Sequence, residues 1–400
     1  MHNNALDRLT GYPFDRLRAL LGGLKAPNGM EPVIMSLGEP RHPAPPILAE
    51  TVAANADSWN LYPPVAGTPE LLDAIISWLK RRYGLADEFV RPGDNVVAVS
   101  GTREALYMVG DVCIPSTGTG NGSGPPLVLI PNPFYQVYVG TALMRRAEPV
   151  YMPATKATGF LPDFTALDDE TLNRTALAYL CSPANPQGTI ANLDYLKTAI
   201  NLAWKHDFVL AADECYAEIY DLEAPPGLLQ AAAELGSDLH NILVFHSLSK
   251  RSNAPGLRSG FVAGDPDLIR HFKTLRNYGG ATIPIPILAA SAALWRDDDS
   301  PEANRILYRQ KFDLADQILN DRLGYYRPGG GFYLWLNVGD GEAAARRLWT
   351  EAGVRVIPGC YLARTGKDGV NPGTPYIRIA LVQTLDEIGD ALTRIGNCLE

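Results

Sequence analysis

Cysteine and histidine are scarce in this chain and never gather. Five cysteines stand at Cys113, Cys181, Cys215, Cys360 and Cys398 in 400 residues. The number is odd, the positions are scattered and no CxxC pair occurs, which excludes a zinc knot and a disulfide framework. Reduced thiols and a cytoplasmic address are expected. The six histidines form no HExxH or similar group, so no metal is expected. No apolar run reaches the roughly 18 residues that a membrane span needs. The opening stretch "MHNNALDRLTGYPFDRLRALLGG" carries Asp7, Arg8, Asp15, Arg16 and Arg18 where a secretory leader would be uninterrupted and apolar. An excess of positive charge is missing too. Lys and Arg number 35 against 44 Asp and Glu, a net charge of −9, which argues against a nucleic-acid surface and an anionic membrane. No internal repeat is present. The one low-complexity stretch, "PSTGTGNGSGPP" (115–126), reads as a surface loop because a buried-strand pattern follows at once.

What is present is an ordinary globular composition, 46% hydrophobic and 20% charged, with length for one large or two modest domains and a substantial core. Short β-rich runs appear at "NVVAVS" (95–100), "LVLI" (127–130), "ALAYL" (176–180), "FVLAADE" (208–214), "NILVFHS" (241–247) and "RSGFVAGD" (258–265). Helical patterns such as "TREALYMVGDVC" (102–113) and "NLDYLKTAINLAWKHD" (192–207) separate several of them. Strands that alternate with helices and lack polar alternation predict a parallel sheet buried on both faces. Ligands then bind at the carboxyl ends of the strands. The last third reads differently. "DLADQILNDRL" predicts a helix, and "GGFYLWLNV" (330–338), "VRVIPG" (354–359) and "PYIRIALV" (375–382) predict strands of a smaller α+β unit. The first forty-odd residues are expected to have no sheet of their own and to pack on that unit. The expected division is a large α/β domain over 48–285 and a small domain from 1–47 and 286–400.

Two strand ends carry the chemistry. "FVLAADECY" ends in Asp213, Glu214 and Tyr216, and an acid at the end of a buried strand is costly unless paired. Alone, a structural ion pair explains it. The strand "NILVFHS" runs into Ser247, Ser249 and Lys250, and alone that lysine reads as an exposed loop residue. Together, a lysine and an aspartate at the ends of two strands are what a pyridoxal phosphate site requires. The lysine forms a Schiff base with the cofactor aldehyde, and the carboxylate keeps the ring nitrogen protonated. Ser247, Ser249 and Arg258 offer donors for the phosphate. "SGTREAL" (100–106) offers Gly101 and Thr102 at a helix start, where backbone N–H groups face an anion. In "PNPFYQVY" (131–138) an aromatic could stack on a ring or merely fill core, and in "SPANPQG" (182–188) Asn185 is the side chain suited to a ring oxygen.

"SLSK", an Arg eight positions on, "ADECY", "SPANPQG" and "YIRIAL" together resemble the class I/II aminotransferases of the type I pyridoxal phosphate fold, from "SLGEP" near 36 to "YIRIAL" near 382. The fold implied is α/β: a large domain whose mostly parallel sheet is sandwiched by helices, plus a small α+β domain from both termini. The resemblance implies that Lys250 binds the cofactor covalently and moves the Cα proton, and that Asp213 pairs with the ring nitrogen. It implies that Tyr216 and Asn185 donate to the ring's phenolic oxygen and that Tyr135 stacks on the ring. Gly101, Thr102, Ser247, Ser249 and Arg258 match phosphate binders. Tyr62 matches a tyrosine that reaches the neighbouring subunit's phosphate, which implies a homodimer with shared sites. Arg378 matches the arginine that grips the substrate α-carboxylate, with Gly38 and Asn185 beside it.

"YPFDRLRALL", "SLGEPRHP", "SGTREALY", "PNPFYQVY" and "SLSKRSNAPGLRSGFVAGD" resemble, more narrowly, the bacterial succinyldiaminopimelate aminotransferases of lysine biosynthesis. That implies amino transfer between glutamate and the keto partner of N-succinyl-LL-2,6-diaminopimelate. Arg41 stands where that family often has Lys, and Cys360 where it often has Ser. Arg41, Arg103 and Arg251 are candidates for the distal carboxylates of such a substrate. Transfer to aspartate, an aromatic amino acid or LL-diaminopimelate itself stays open. So does a carbon–sulfur lyase or a decarboxylase on the same fold. A cofactor-sensing module of a transcription regulator fits less well, since no helix-turn-helix extension is present.

Overall fold

A computed structural model of the chain describes residues 1–9, 11–116, 124–236 and 239–399. Most of the Gly/Ser/Thr loop expected over 115–126 lies outside the described residues. The strands, in chain order, are β1 (Val33–Ile34), β2 (Val96–Val99), β3 (Leu127–Asn132), β4 (Glu148–Pro153), β5 (Thr175–Cys181), β6 (Val209–Asp213), β7 (Ile242–Ser247), β8 (Gly260–Gly264), β9 (Tyr333–Asn337), β10 (Val354–Arg355), β11 (Ile357–Pro358) and β12 (Tyr376–Ala380).

Seven strands form the central sheet in the order β2-β8-β7-β6-β5-β3-β4. All neighbours pair in parallel except β8, which runs antiparallel to both β2 and β7. The missing polar alternation has a direct cause. Leu210 and Ala212 of β6, with Ile242 and Val244 of β7, enter one core. The alternate residues Val209, Ala211, Leu243 and Phe245 enter a second core on the opposite face. Successive strand side chains point to opposite faces, so a sheet covered on both sides needs apolar residues throughout. Strand β4 was not expected. Its sequence, "EPVYMP", is interrupted by prolines, which an edge strand tolerates.

A third core holds the small unit. Strands β11-β12-β9 make an antiparallel sheet. "VRVIPG" splits, because β10 instead pairs in parallel with β1. The N-terminal segment thus contributes one short strand, which pairs with the small unit and forms no sheet of its own. Helix Pro13–Leu21 follows the expected course and buries Leu17, Leu20 and Leu21 in this core. Helix Ile285–Arg296 departs from the expected division: its Leu288, Ala292 and Trp295 pack with Leu71 and Trp78 in the large core. The 21-residue helix Asp299–Leu319 sends Tyr308, Phe312 and Leu319 into the small core. This packing favours a boundary after Arg296, not after 285. No described helix is long and apolar enough to cross a membrane.

Candidate active site

The residues that end or follow β2, β3, β5, β6 and β7 wall one cavity of about 850 Å3. The small unit closes the opposite side with Tyr333 and Arg378, and the N-terminal segment adds Tyr12, Pro13, Phe14 and Gly38.

Lys250 sits on a four-residue helix, Leu248–Arg251, whose start is capped by Ser247. Its Nζ donates to the carbonyl of Gly38 at 2.6 Å. Burial strips water from the ammonium and lowers its pKa to about 8, helped by the positive field of Arg378. Asp213, only 5% exposed, ends β6. Its carboxylate accepts from Tyr138 Oη at 2.7 Å and from the backbone N–H of Cys215 at 3.2 Å. Burial pushes its pKa up, and those two donors oppose the rise. Among the described residues no cationic side chain is bonded to it. It lines the cavity, where a cation would supply the partner that a buried carboxylate needs.

Helix Thr102–Cys113 starts beside these groups. Its cap, Gly101, has φ +89°. A Cβ there would run into the guanidinium of Arg258, so only glycine lets the backbone and that side chain meet. Arg258 is itself left-handed, at φ 54°, and donates to the carbonyls of Pro255 at 3.0 Å and Ser100 at 3.3 Å. A guanidinium, the hydroxyls of Ser247 and Ser249, and a helix N-terminus thus converge, which suits a phosphate. Thr102 Oγ1 lies 3.0 Å from Cys215 Sγ.

Arg378 leaves β12 for the same cavity. Its Nη2 donates to Ser36 O at 2.9 Å and Nη1 to Asn185 Oδ1 at 3.1 Å, while its guanidinium lies 4.3 Å from the Tyr333 ring centroid. Its buried Nε has no partner among the described residues. Tyr216 and Tyr333 share a hydrogen bond of 3.0 Å between their hydroxyls. Tyr135 Oη accepts from Arg103 Nε at 2.6 Å.

Lys250, Asp213, Tyr216, Asn185, Tyr135, Thr102, Ser247, Ser249, Arg258, Arg378, Gly38 and Arg103 all line the cavity, and Gly101 sits between two residues that do. Tyr62 does not line the cavity of its own chain and is fully exposed. Arg41 lies outside the cavity and donates to Gln383 Oε1 at 2.8 Å. Arg251 must be withdrawn as a substrate contact. It is 2% exposed and its guanidinium is spent on Leu294 O, Asp297 O and Asp298 Oδ1. Tyr138 and Tyr333 were missed. Tyr138 stands three places after Tyr135 in "PNPFYQVY", the one signal that could have found it.

A profile of the family described as aminotransferase class I and II matches residues 31–395. The chain belongs to the class I and II aminotransferases. Aminotransferases of this family and fold depend on pyridoxal phosphate, and the donor set above fits that cofactor. An aminotransferase structure from Neisseria meningitidis Z2491 matches over all of both chains, with a TM-score of 0.94 and 41% identity. The LL-diaminopimelate aminotransferase of Desulforudis audaxviator (strain MP104C) is 30% identical over 98% of this chain and 96% of its own. The 4-dedimethylamino-4-oxo-anhydrotetracycline transaminase OxyQ of Streptomyces rimosus is 31% identical over 92% of this chain and 94% of its own. Relatives at 30% and 31% identity thus carry names with very different substrates.

Proposed function

We propose that this aminotransferase moves an amino group between glutamate and the keto acid of N-succinyl-LL-2,6-diaminopimelate. The observation that carries the reading is a surplus cation. With Arg378 assigned to the α-carboxylate and Arg258 to the phosphate, Arg103 is left facing the cavity, where a second acidic group would meet it. Its tie to Tyr135 fixes its direction. A second reading, LL-diaminopimelate itself, is favoured by Glu39 on the same cavity, since that substrate keeps a distal ammonium. The names of two relatives, both LL-diaminopimelate aminotransferases, support a diaminopimelate substrate in its unsuccinylated form.

Pyridoxal phosphate, when bound, supplies an aldehyde for amine exchange and a ring that accepts the electron pair left at Cα. Lys250 would hold it and, once freed, carry the proton from Cα. An amine whose pKa burial has lowered to about 8 is neutral in roughly one molecule in ten at pH 7, far more than an ordinary lysine, and that fraction is able to act as the base. Asp213 would stand against the ring nitrogen, and Tyr216 and Asn185 against the phenolic oxygen. Gly101, Thr102, Ser247, Ser249 and Arg258 would hold the phosphate. Tyr135 would cover the ring. Arg378 would orient the substrate, its fork matching a carboxylate bidentately.

Exposed Trp59, Leu61 and Tyr62 lie in one run of the surface. We read that run as the face of a homodimer in which Tyr62 serves the partner's phosphate. The deciding experiment is a donor panel with 2-oxoglutarate as acceptor. Succinyldiaminopimelate should exceed free LL-diaminopimelate, aspartate and aromatic amino acids in kcat/KM. A preference for free LL-diaminopimelate selects the second reading, and failure of glutamate to aminate the bound cofactor sinks both.

A further inference from the structure

Arg251 adjoins Lys250 yet turns away from the cavity. The chain leaves the small core for the large one over residues 36–46 and returns to the small one over 297–304. The short turn that carries Lys250 is bonded to both crossings. Arg251 Nη1 donates to Leu294 O at 2.6 Å, and Nη2 to Asp297 O at 2.7 Å and Asp298 Oδ1 at 3.0 Å. The guanidinium lies 5.7 Å and 5.2 Å from the ring centroids of Trp78 and Trp295. It therefore ties off helix Ile285–Arg296 and fixes the start of the second crossing.

Two residues further on, Asn253 Nδ2 donates to Asn304 Oδ1 at 3.1 Å, again on the second crossing. The same oxygen accepts from Nδ1 of His42, on the first crossing, at 2.7 Å. That tautomer leaves Nε2 to accept from Lys311 Nζ, also at 2.7 Å. The first crossing reaches the site directly as well. Gly38 O accepts from Lys250, and Ser36 O, two residues before, accepts from Arg378. The amine and the guanidinium are thus held by one short stretch of backbone.

We infer that Arg251 and Asn253 are positioning residues for Lys250, clamping its turn to both interdomain crossings so that the amine and the carboxylate-binding Arg378 are set in place together. This rests on the roles proposed above for Lys250 and Arg378. A carboxylate that takes N–H groups of Arg378 away from Ser36 O loosens the stretch that carries Gly38, the group that receives the Lys250 amine whenever it is free of the cofactor. The clamp keeps the lysine turn in register while that happens. Misplacing a reacting group by about 1 Å costs up to about a hundredfold in rate, so the clamp bears on turnover before affinity.

The test uses the cofactor-loaded enzyme with maleate, a dicarboxylate that has no amine to transfer. The visible absorbance of the bound cofactor is titrated against pH with and without maleate, in wild type, Asn253→Ala and Asp298→Ala. Asp298 is the exposed partner of Arg251 and Asn253 is only half-buried, so both variants leave the core intact. In wild type maleate should shift the titration midpoint. In both variants the shift should fall below half, with kcat lowered about tenfold and KM for glutamate changed less than threefold. Asn253→Ser, which keeps a short polar side chain, should recover part of the shift. Variants that are folded by circular dichroism, keep the full shift and keep kcat within twofold overturn the inference alone. If Lys250→Ala leaves the cofactor absorbance unaltered, the role of Lys250 falls, and this inference with it.

Discussion

Lys250 is expected to show its lowered pKa before any cofactor is present. Only the neutral amine attacks an aldehyde, and its fraction grows as pH rises toward about 8. Cofactor uptake by the apoenzyme should therefore quicken about tenfold per pH unit below that value and level off above it. A midpoint near the ordinary lysine value would mean that the amine is solvated. Tyr138→Phe removes one of two donors to Asp213 and should raise the carboxyl pKa further. A lost hydrogen bond to a buried charge costs about 1.5–3 kcal/mol, so cofactor affinity should drop by roughly ten- to a hundredfold in equilibrium dialysis. At this scale the site was largely legible. A buried acid and a lysine at two strand ends are each expensive, and a shared cofactor resolves both. Tyr138 was not legible, because an aromatic in such a motif reads equally well as packing. Arg251 misled, because its partners, two carbonyls and the Asp298 carboxylate, lie more than forty residues away and carbonyls leave no mark in a sequence.

Among the elements, helix Thr102–Cys113 matched its predicted span, and the strands ending in Asp213 and Ser247 matched to within a residue. Their apolar runs are long enough to declare themselves. The two-residue strands β1, β10 and β11 are too short for any period, and only their partners make them strands. Helix Ile285–Arg296 was assigned to the wrong unit because its small apolar residues suit either core. The start of helix Thr102–Cys113 gives a sharp test. Gly101→Ala strains a left-handed residue and drives a methyl into Arg258. Strain of about 1–3 kcal/mol predicts a loss of roughly five- to a hundredfold in cofactor affinity, read by dialysis, with the helix content unchanged by circular dichroism.

Across the whole molecule, buried ions join the cores. Glu218 accepts from Arg82 Nε at 2.6 Å and Arg305 Nη1 at 3.3 Å, and all three side chains are nearly sealed from water. Glu218→Gln leaves the buried guanidinium of Arg82 without its anion, while Arg305 keeps Glu302, and should cost about 3–5 kcal/mol in urea unfolding. A cost below about 1 kcal/mol would mean that water reaches the cluster. At this scale the sequence pattern suggested two units with the change after residue 285, whereas the ion cluster was not legible, since its members are scattered from Arg82 to Arg305. The pairing of Val33 with Val354 sets an order on how the chain is made. A ribosome releases helix Pro13–Leu21 and strand β1 about 300 residues before β10, the strand that pairs with β1. The large core is complete once Arg296 is out, and the N-terminal leucines wait uncovered until then and beyond. For that interval the nascent chain carries an apolar helix with no seat, the surface on which a chaperone finds its hold.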